Sequence, residues 1–263
     1  MIGVANNKDA LKKRVERFFR SERCYGATKL ISDLIRLGDI LVFGGLIRDI
    51  ALYGTKYFNS DIDLVIDCTQ TELDKKILEN HPLAARNKFG GYRIHQESWT
   101  IDLWPIKETW AFKENLVEFR DISSLLLTTV TNWDSVAYSF KSRKIICSNH
   151  YLDDLKEGKI DIVLSTNPNK LGALIRLLRA IFDKKAVYLM PKAIFYLREE
   201  LNSKTAAEIL DAQSQSFNRE FFTASDIEKL RSEINSLSFD LFGGGINPKG
   251  KNLSFKLGSK NQD

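Results

Sequence analysis

The sequence predicts an α+β fold, with a mixed sheet flanked by helices and an all-helical part after it. Three observations carry that expectation. First, an apolar run at Ile40–Phe43 ends in Gly44-Gly45 and leads through a short helical segment to a second apolar run, Ile62–Ile66. Second, two further β-prone runs, 92–95 and 99–104, lie close enough to form a hairpin, so strands of both directions share the sheet. Third, beyond residue 161 the apolar residues recur at helical spacing instead.

The elements follow in order. Leu11, Val15, Phe18 and Phe19 fall on one face of an N-terminal helix, with Lys12, Lys13, Arg14, Arg17, Arg20 and Arg23 around the rest. A second helix is expected over 28–37, ended by Gly38-Asp39. Strand, Gly-Gly turn, short helix and second strand come next. Thr69-Gln70-Thr71-Glu72 has the spacing of a capping box and opens a helix to about Glu79. The hairpin completes a first domain over 1–161. Leu171, Leu174, Ile175, Leu178 and Phe182 then describe a buried helical seam. A helix is expected over 186–201, kinked or broken at Pro191. Ser225-Asp226-Ile227-Glu228 reads as another capping box, opening a helix to about Leu237. A helical neck and cap thus spans 162–242. Residues 243–263 are rich in glycine, lysine and asparagine and are expected to be mobile.

Composition excludes several classes. The chain has 263 residues, is 43% hydrophobic and 28% charged, and carries a net charge of +5. That mild positive charge is compatible with a polyanionic acceptor such as RNA without requiring one. No apolar run is long enough to span a bilayer, and residues 1–13 lack the apolar core of a signal peptide, so no membrane partner and a cytoplasmic location are expected. Cys24, Cys68 and Cys147 are scattered and odd in number, as are His81, His95 and His150, which fits neither a disulfide framework nor a zinc site.

The chemistry concentrates between residues 44 and 102. Side chains alternate along a strand, so Asp61 and Asp63 share a face while Ile62, Leu64 and Ile66 turn to the core. Two carboxylates side by side repel unless a cation or a basic group stands between them. Mg²⁺ (or Mn²⁺) suits such oxygen donors, and a pair of ions roughly 3.5–4 Å apart can activate a hydroxyl and stabilise a leaving pyrophosphate. Asp102, in the β-prone run 99–104, is expected on the same side as a third carboxylate. Gly44 and Gly45 permit close backbone approach, and the helix after them offers unpaired N–H groups to an anion such as the phosphates of an NTP. Arg48 would either contact that phosphate or pair with Asp49 or Asp61.

These residues resemble the head domain of the class II CCA-adding enzymes and bacterial poly(A) polymerases, in the DNA polymerase β superfamily. The family pattern Gly-Gly-x-Val-Arg-Asp followed by Asp-x-Asp-Leu stands here as Gly44-Gly45-Leu46-Ile47-Arg48-Asp49 and Asp61-Ile62-Asp63-Leu64. Thr131-Asn132-Trp133-Asp134-Ser135-Val136-Ala137-Tyr138 is similar to the family's Phe-Thr-Ile-Asn-Ala-Leu-Ala-Tyr. The run from Tyr151 to Ile160 is similar to its Gly-Leu-Glu-Asp-Leu-x-x-Gly-x-Ile, and the run from Arg176 to Phe182 to its neck helix. The resemblance covers roughly 25–185. It implies a polymerase β-like head, a metal-dependent transfer of NMP from an NTP, Asp61, Asp63 and Asp102 as metal ligands and catalytic groups, and Arg176 and Arg179 facing the nucleotide.

Two family elements are missing. Thr128-Thr129-Val130 stands where the family has Arg-Arg-Asp, and Asn167-Pro168-Asn169-Lys170 is the nearest region to its base-reading Glu-Asp-x-x-Arg. The resemblance therefore supports the triphosphate chemistry and an RNA 3′ end as acceptor, but not CCA addition. The alternatives are a stand-alone transferase of a toxin or defence system, modifying a protein or making a signalling nucleotide, and a non-catalytic nucleotide-binding module.

Overall fold

The computed structural model describes residues 3–56, 58, 60–86, 90–96, 98–217, 219–237 and 253–254. In chain order these form α1 (Lys8–Phe19), α2 (Tyr25–Leu34), β1 (Ile40–Phe43), α3 (Gly45–Tyr53), β2 (Ile62–Ile66), α4 (Gln70–Asn80), β3 (Ala85–Arg86), β4 (Tyr92–His95), β5 (Thr100–Pro105) and α5 (Trp110–Lys113). A 3₁₀ segment at Ile122–Thr128 precedes β6 (Val136–Ser139), β7 (Lys144–Cys147) and α6 (Tyr151–Glu157). Then come β8 (Lys159–Ile160), α7 (Lys170–Phe182), β9 (Tyr188–Leu189), α8 (Pro191–Asn202), α9 (Ala206–Ser216), α10 (Ala224–Ser236) and β10 (Leu253–Ser254).

The chain divides into two compact units. The first holds Met1–Thr129 and Trp133–Asp153, the second Val130–Asn132 and Asp154–Asp263. The division falls ahead of the expected boundary at 161. Its reason is strand pairing: β8 runs parallel to β9, and Thr131 bridges Ile162, so both segments belong to the second unit.

In the first unit the described residues form a seven-stranded sheet in the order β3-β4-β5-β2-β1-β6-β7. It is mixed, because β2 and β5 are parallel while the other neighbours are antiparallel. A parallel pair needs a crossover, and the segment from α4 to β4 supplies it. Alternation sets the two faces. Val42, Leu64, Ile101 and Leu103 are fully buried on one. That face meets α1, since Tyr138, in register with Val42, donates its hydroxyl to Glu16 at 3.2 Å. On the other face Leu41, Val65 and Ala137 form an apolar cluster with Ile106, Phe112 and Leu125, joined by Trp104. Asp63 shares this second face, two residues before Val65, so the face changes along β2 from carboxylate to core.

The N-terminal helix buries Leu11, Val15, Phe18 and Phe19, as its periodicity predicts. The Thr69–Glu72 capping box also forms, with the Thr69 amide bonded to the Glu72 carboxylate at 2.8 Å. The second helix starts earlier than expected, at Tyr25, and ends at Leu34.

The second unit contains the remaining helices and, among the described residues, a three-stranded sheet, β10-β9-β8. Two expectations are corrected here. The helix expected over 186–201 begins at Pro191, which sits in its first turn and neither kinks nor breaks it. Residues 188–189 pair with β8 instead, and proline's fixed φ suits a first turn whose amide has no partner to lose. The cap of α10 is Thr223, which accepts from the Asp226 amide, rather than Ser225. The expected mobile tail, 243–263, lies outside the described residues except for Leu253–Ser254. No helix among the described residues is long and apolar enough to cross a membrane.

Candidate active site

The pairing of β1 with β2 builds the site. The strands are antiparallel, with Ile40 opposite Ile66 and Val42 opposite Leu64. The Gly44–Gly45 turn at the C-terminal end of β1 therefore lies beside the N-terminal end of β2, where Asp61 and Asp63 stand. Gly44 has φ 72° and ψ −128° and caps α3. A Cβ there would have room, since the nearest heavy atom is the Asp134 carbonyl oxygen at 3.9 Å. The backbone conformation, not the packing, requires glycine. The first-turn amides of α3 have no intrahelical acceptors, a geometry that suits an anion.

Arg48, on α3, is tied to carboxylates of the first unit. Its Nε donates to Asp49 at 2.8 Å and its Nη1 to Asp134. All three side chains are largely buried. Burial alone would lower the Arg48 pKa; the charges of Asp49 and Asp134 outweigh it and raise it. Of the two roles expected for Arg48, the structure shows the ion pair with Asp49, and Asp134 as a partner that was not expected. Asp134 comes from the stretch similar to the family's Phe-Thr-Ile-Asn motif.

Asp63 and Asp102 are direct neighbours across the parallel β2–β5 pair, and Asp102 is opposite Arg93 across the antiparallel β5–β4 pair. Asp63, Asp102 and Arg93 thus form a row across three strands on one face. Arg93 grips Asp102 with a two-pronged hydrogen bond, Nε to Oδ1 at 2.8 Å and Nη2 to Oδ2 at 2.6 Å. The same Nη2 reaches Asp61 Oδ2 at 3.4 Å. The bond to Asp102 is the main reason the Arg93 pKa rises, against desolvation, with Asp102, Asp61 and Asp63 adding charge. Asp61 is pushed up, first by loss of solvent; Arg93 opposes the shift and Asp102 adds to it.

The three carboxylates expected to share an ion thus have a guanidinium among them. Among the described residues no group of three or more His, Cys, Asp or Glu side chains is gathered for a metal. Arg93 holds both oxygens of Asp102 toward β4. The donor chemistry fits a divalent ion: Asp61 and Asp63 offer hard oxygen ligands at a strand end beside the glycine turn. Sequence reasoning missed Arg93. The signal was present in the alternation of 92–95, where Tyr92 and Ile94 are buried and Arg93 and His95 exposed; the hairpin register that sets Arg93 opposite Asp102 was not.

The remaining expected residues lie in the second unit. Arg176 is exposed on α7. Arg179 pairs with Asp183 at 3.4 Å and stacks over the rings of Phe217 and Phe221, with centroids at 4.8 and 4.3 Å. At the positions where the family's selecting residues are missing, side chains serve local structure. Thr128 and Thr129 donate to the Leu125 and Leu126 carbonyls, and Asn169 caps α7.

Comparison with solved structures identifies the fold. A CCA-adding enzyme in complex with CTP matches with a TM-score of 0.60 and 15% identity, over 89% of this chain and 56% of that one. The Thermotoga maritima CCA-adding enzyme complexed with tRNA matches with a TM-score of 0.59 and 16% identity, over 89% and 55%. A tRNA-processing enzyme in an apo form matches with a TM-score of 0.55 and 17% identity, over 87% and 61%. The chain spans little more than half the length of these structures. No protein-family model and no curated protein matches it. At this identity the likeness is one of fold: the chain has a CCA-adding-enzyme-like nucleotidyltransferase fold.

Proposed function

We propose that this chain is a divalent-metal-dependent nucleotidyltransferase that moves an NMP from an NTP to an acceptor hydroxyl and releases pyrophosphate. The observation that carries the reading is the antiparallel β1–β2 register, which sets the glycine turn beside Asp61 and Asp63. Gly44, Gly45 and the first-turn amides of α3 would hold the triphosphate. Asp61 and Asp63 would hold the metal, which, when bound, supplies neutralising charge to the phosphates. Asp102, next to Asp63, would join them in holding that metal, and the acceptor hydroxyl, made more acidic there, would give its proton to solvent. The acceptor oxygen bonds the α-phosphorus as the α–β phosphoanhydride bond breaks.

An RNA 3′ hydroxyl is the acceptor this reading favours, because solved structures of similar fold hold CTP or tRNA. A second acceptor class, a protein hydroxyl or another nucleotide, is favoured by one observation. Thr128, Thr129 and Asn169 spend their polar atoms on local hydrogen bonds where the family has selecting residues.

The test is incubation with each α-labelled NTP and Mg²⁺ in the presence of bulk cellular RNA or total cell protein. Label in a nuclease-sensitive product supports the RNA reading, and label in a protease-sensitive product supports the second. Binding of NTP without transfer to any acceptor would contradict the enzymatic reading and leave a nucleotide-binding module.

A further inference from the structure

The carboxylate row already contains a cation, and it is the protein's own. Arg93 is half-exposed, yet its guanidinium is held on two sides, by the chelated Asp102 carboxylate and by Asp61. Asp102 is the least exposed of the three groups, with 13% of its side chain accessible against 48% for Asp61 and 46% for Arg93. A two-pronged arginine–carboxylate bond is geometrically specific and stronger than a neutral hydrogen bond. It engages both oxygens of Asp102, the oxygens an added ion would need. Electrostatics sets the two in competition: a divalent ion and a guanidinium within contact distance of the same carboxylates repel each other.

We infer that Arg93 is an internal counter-cation that competes with a divalent ion for Asp61 and Asp102, so that the full carboxylate set is released to metal only when the guanidinium lets go of Asp102. This rests on the reading of Asp61 and Asp63 as metal ligands. Arg93 is thus a positioning residue, acting through Asp102 rather than on substrate. Two consequences follow from its place on β4. Arg93 offsets one of the negative charges of Asp61, Asp63 and Asp102 and so lessens the repulsion among them. Binding of a triphosphate at the glycine turn brings negative charge that attracts both cations, which makes release of Asp102 easier when nucleotide arrives.

The test uses the full chain without nucleotide. Mn²⁺ is titrated into wild type, Arg93→Gln, Arg93→Lys and Asp63→Asn, and free ion is read by electron paramagnetic resonance, with folding checked by circular dichroism. Arg93→Gln is expected to bind Mn²⁺ about two- to fivefold more tightly than wild type, the scale of one partly exposed ion pair. Arg93→Lys, which keeps the charge but cannot grip both oxygens, is expected to fall between them; it decides the matter if the glutamine variant does not fold. A merely structural Arg93, pinning β4 to β5, would lower stability and leave Mn²⁺ affinity unchanged. Arg93 variants that bind Mn²⁺ no more tightly than wild type, with binding lost in Asp63→Asn, would overturn the competition and leave the metal reading intact. Absence of Mn²⁺ binding in every variant would overturn both.

Discussion

Arg48 illustrates how a motif residue can work through folding. Its guanidinium stands between Asp49 and Asp134, and all three side chains are mostly shielded from water. Removing one member of such a group leaves the others charged and without compensation, which costs more than the pair itself contributes. Arg48→Ala is therefore expected to destabilise the protein by roughly 3–5 kcal/mol, read as a lower urea midpoint. A variant that kept wild-type stability and lost only NTP affinity would instead assign Arg48 to the phosphate. Strand alternation made the shared side of Asp61 and Asp63 legible in the sequence; the place of Asp102 beside Asp63 depends on the β2–β5 register. Arg93 was not legible, because its place opposite Asp102 depends on hairpin register, and Asp134 was not, because it meets Arg48 from far along the chain.

Helix ends set much of the architecture. Capping boxes open α4, α9 and α10, at Thr69–Glu72, Thr205–Glu208 and Thr223–Asp226. Thr69 holds Glu72 below the usual glutamate range, first through its hydroxyl and then its amide. Thr205 does the same to Glu208, first through its amide. A carboxylate with a depressed folded-state pKa contributes stability above its unfolded value, about 4.3 for glutamate, and loses it as pH falls through the folded value. Glu72→Gln and Glu208→Gln should therefore lower the melting temperature at pH 7, and the gap from wild type should close as the pH falls below about 4. A gap that persisted at low pH would mean that the boxes act through packing alone. Long periodic helices and the first capping box could be read from sequence. The start of α8 could not, because residues 188–189 pair as a strand and the apolar run before Pro191 looks the same in either state.

At the scale of the molecule, the first unit carries the glycine turn and the carboxylates on two neighbouring strands, and the second carries the arginines of α7 in surroundings of its own. The mixed sheet was legible because a hairpin had to sit beside strands joined by a crossover. The division between the units was not, because it depends on short pairings, Thr131 with Ile162 and β8 with β9, that leave no period in the sequence. The fold alone hosts more than one chemistry, so the functional claim stands on the few residues at the entry of β2. The most direct measurement is the rate of pyrophosphate release and labelled-product formation by wild type and Asp63→Asn, with matched circular dichroism spectra and NTP saturating. Wild-type transfer that falls about a hundred- to a thousandfold in the folded variant is the expected result. Equal rates in the two proteins would contradict it.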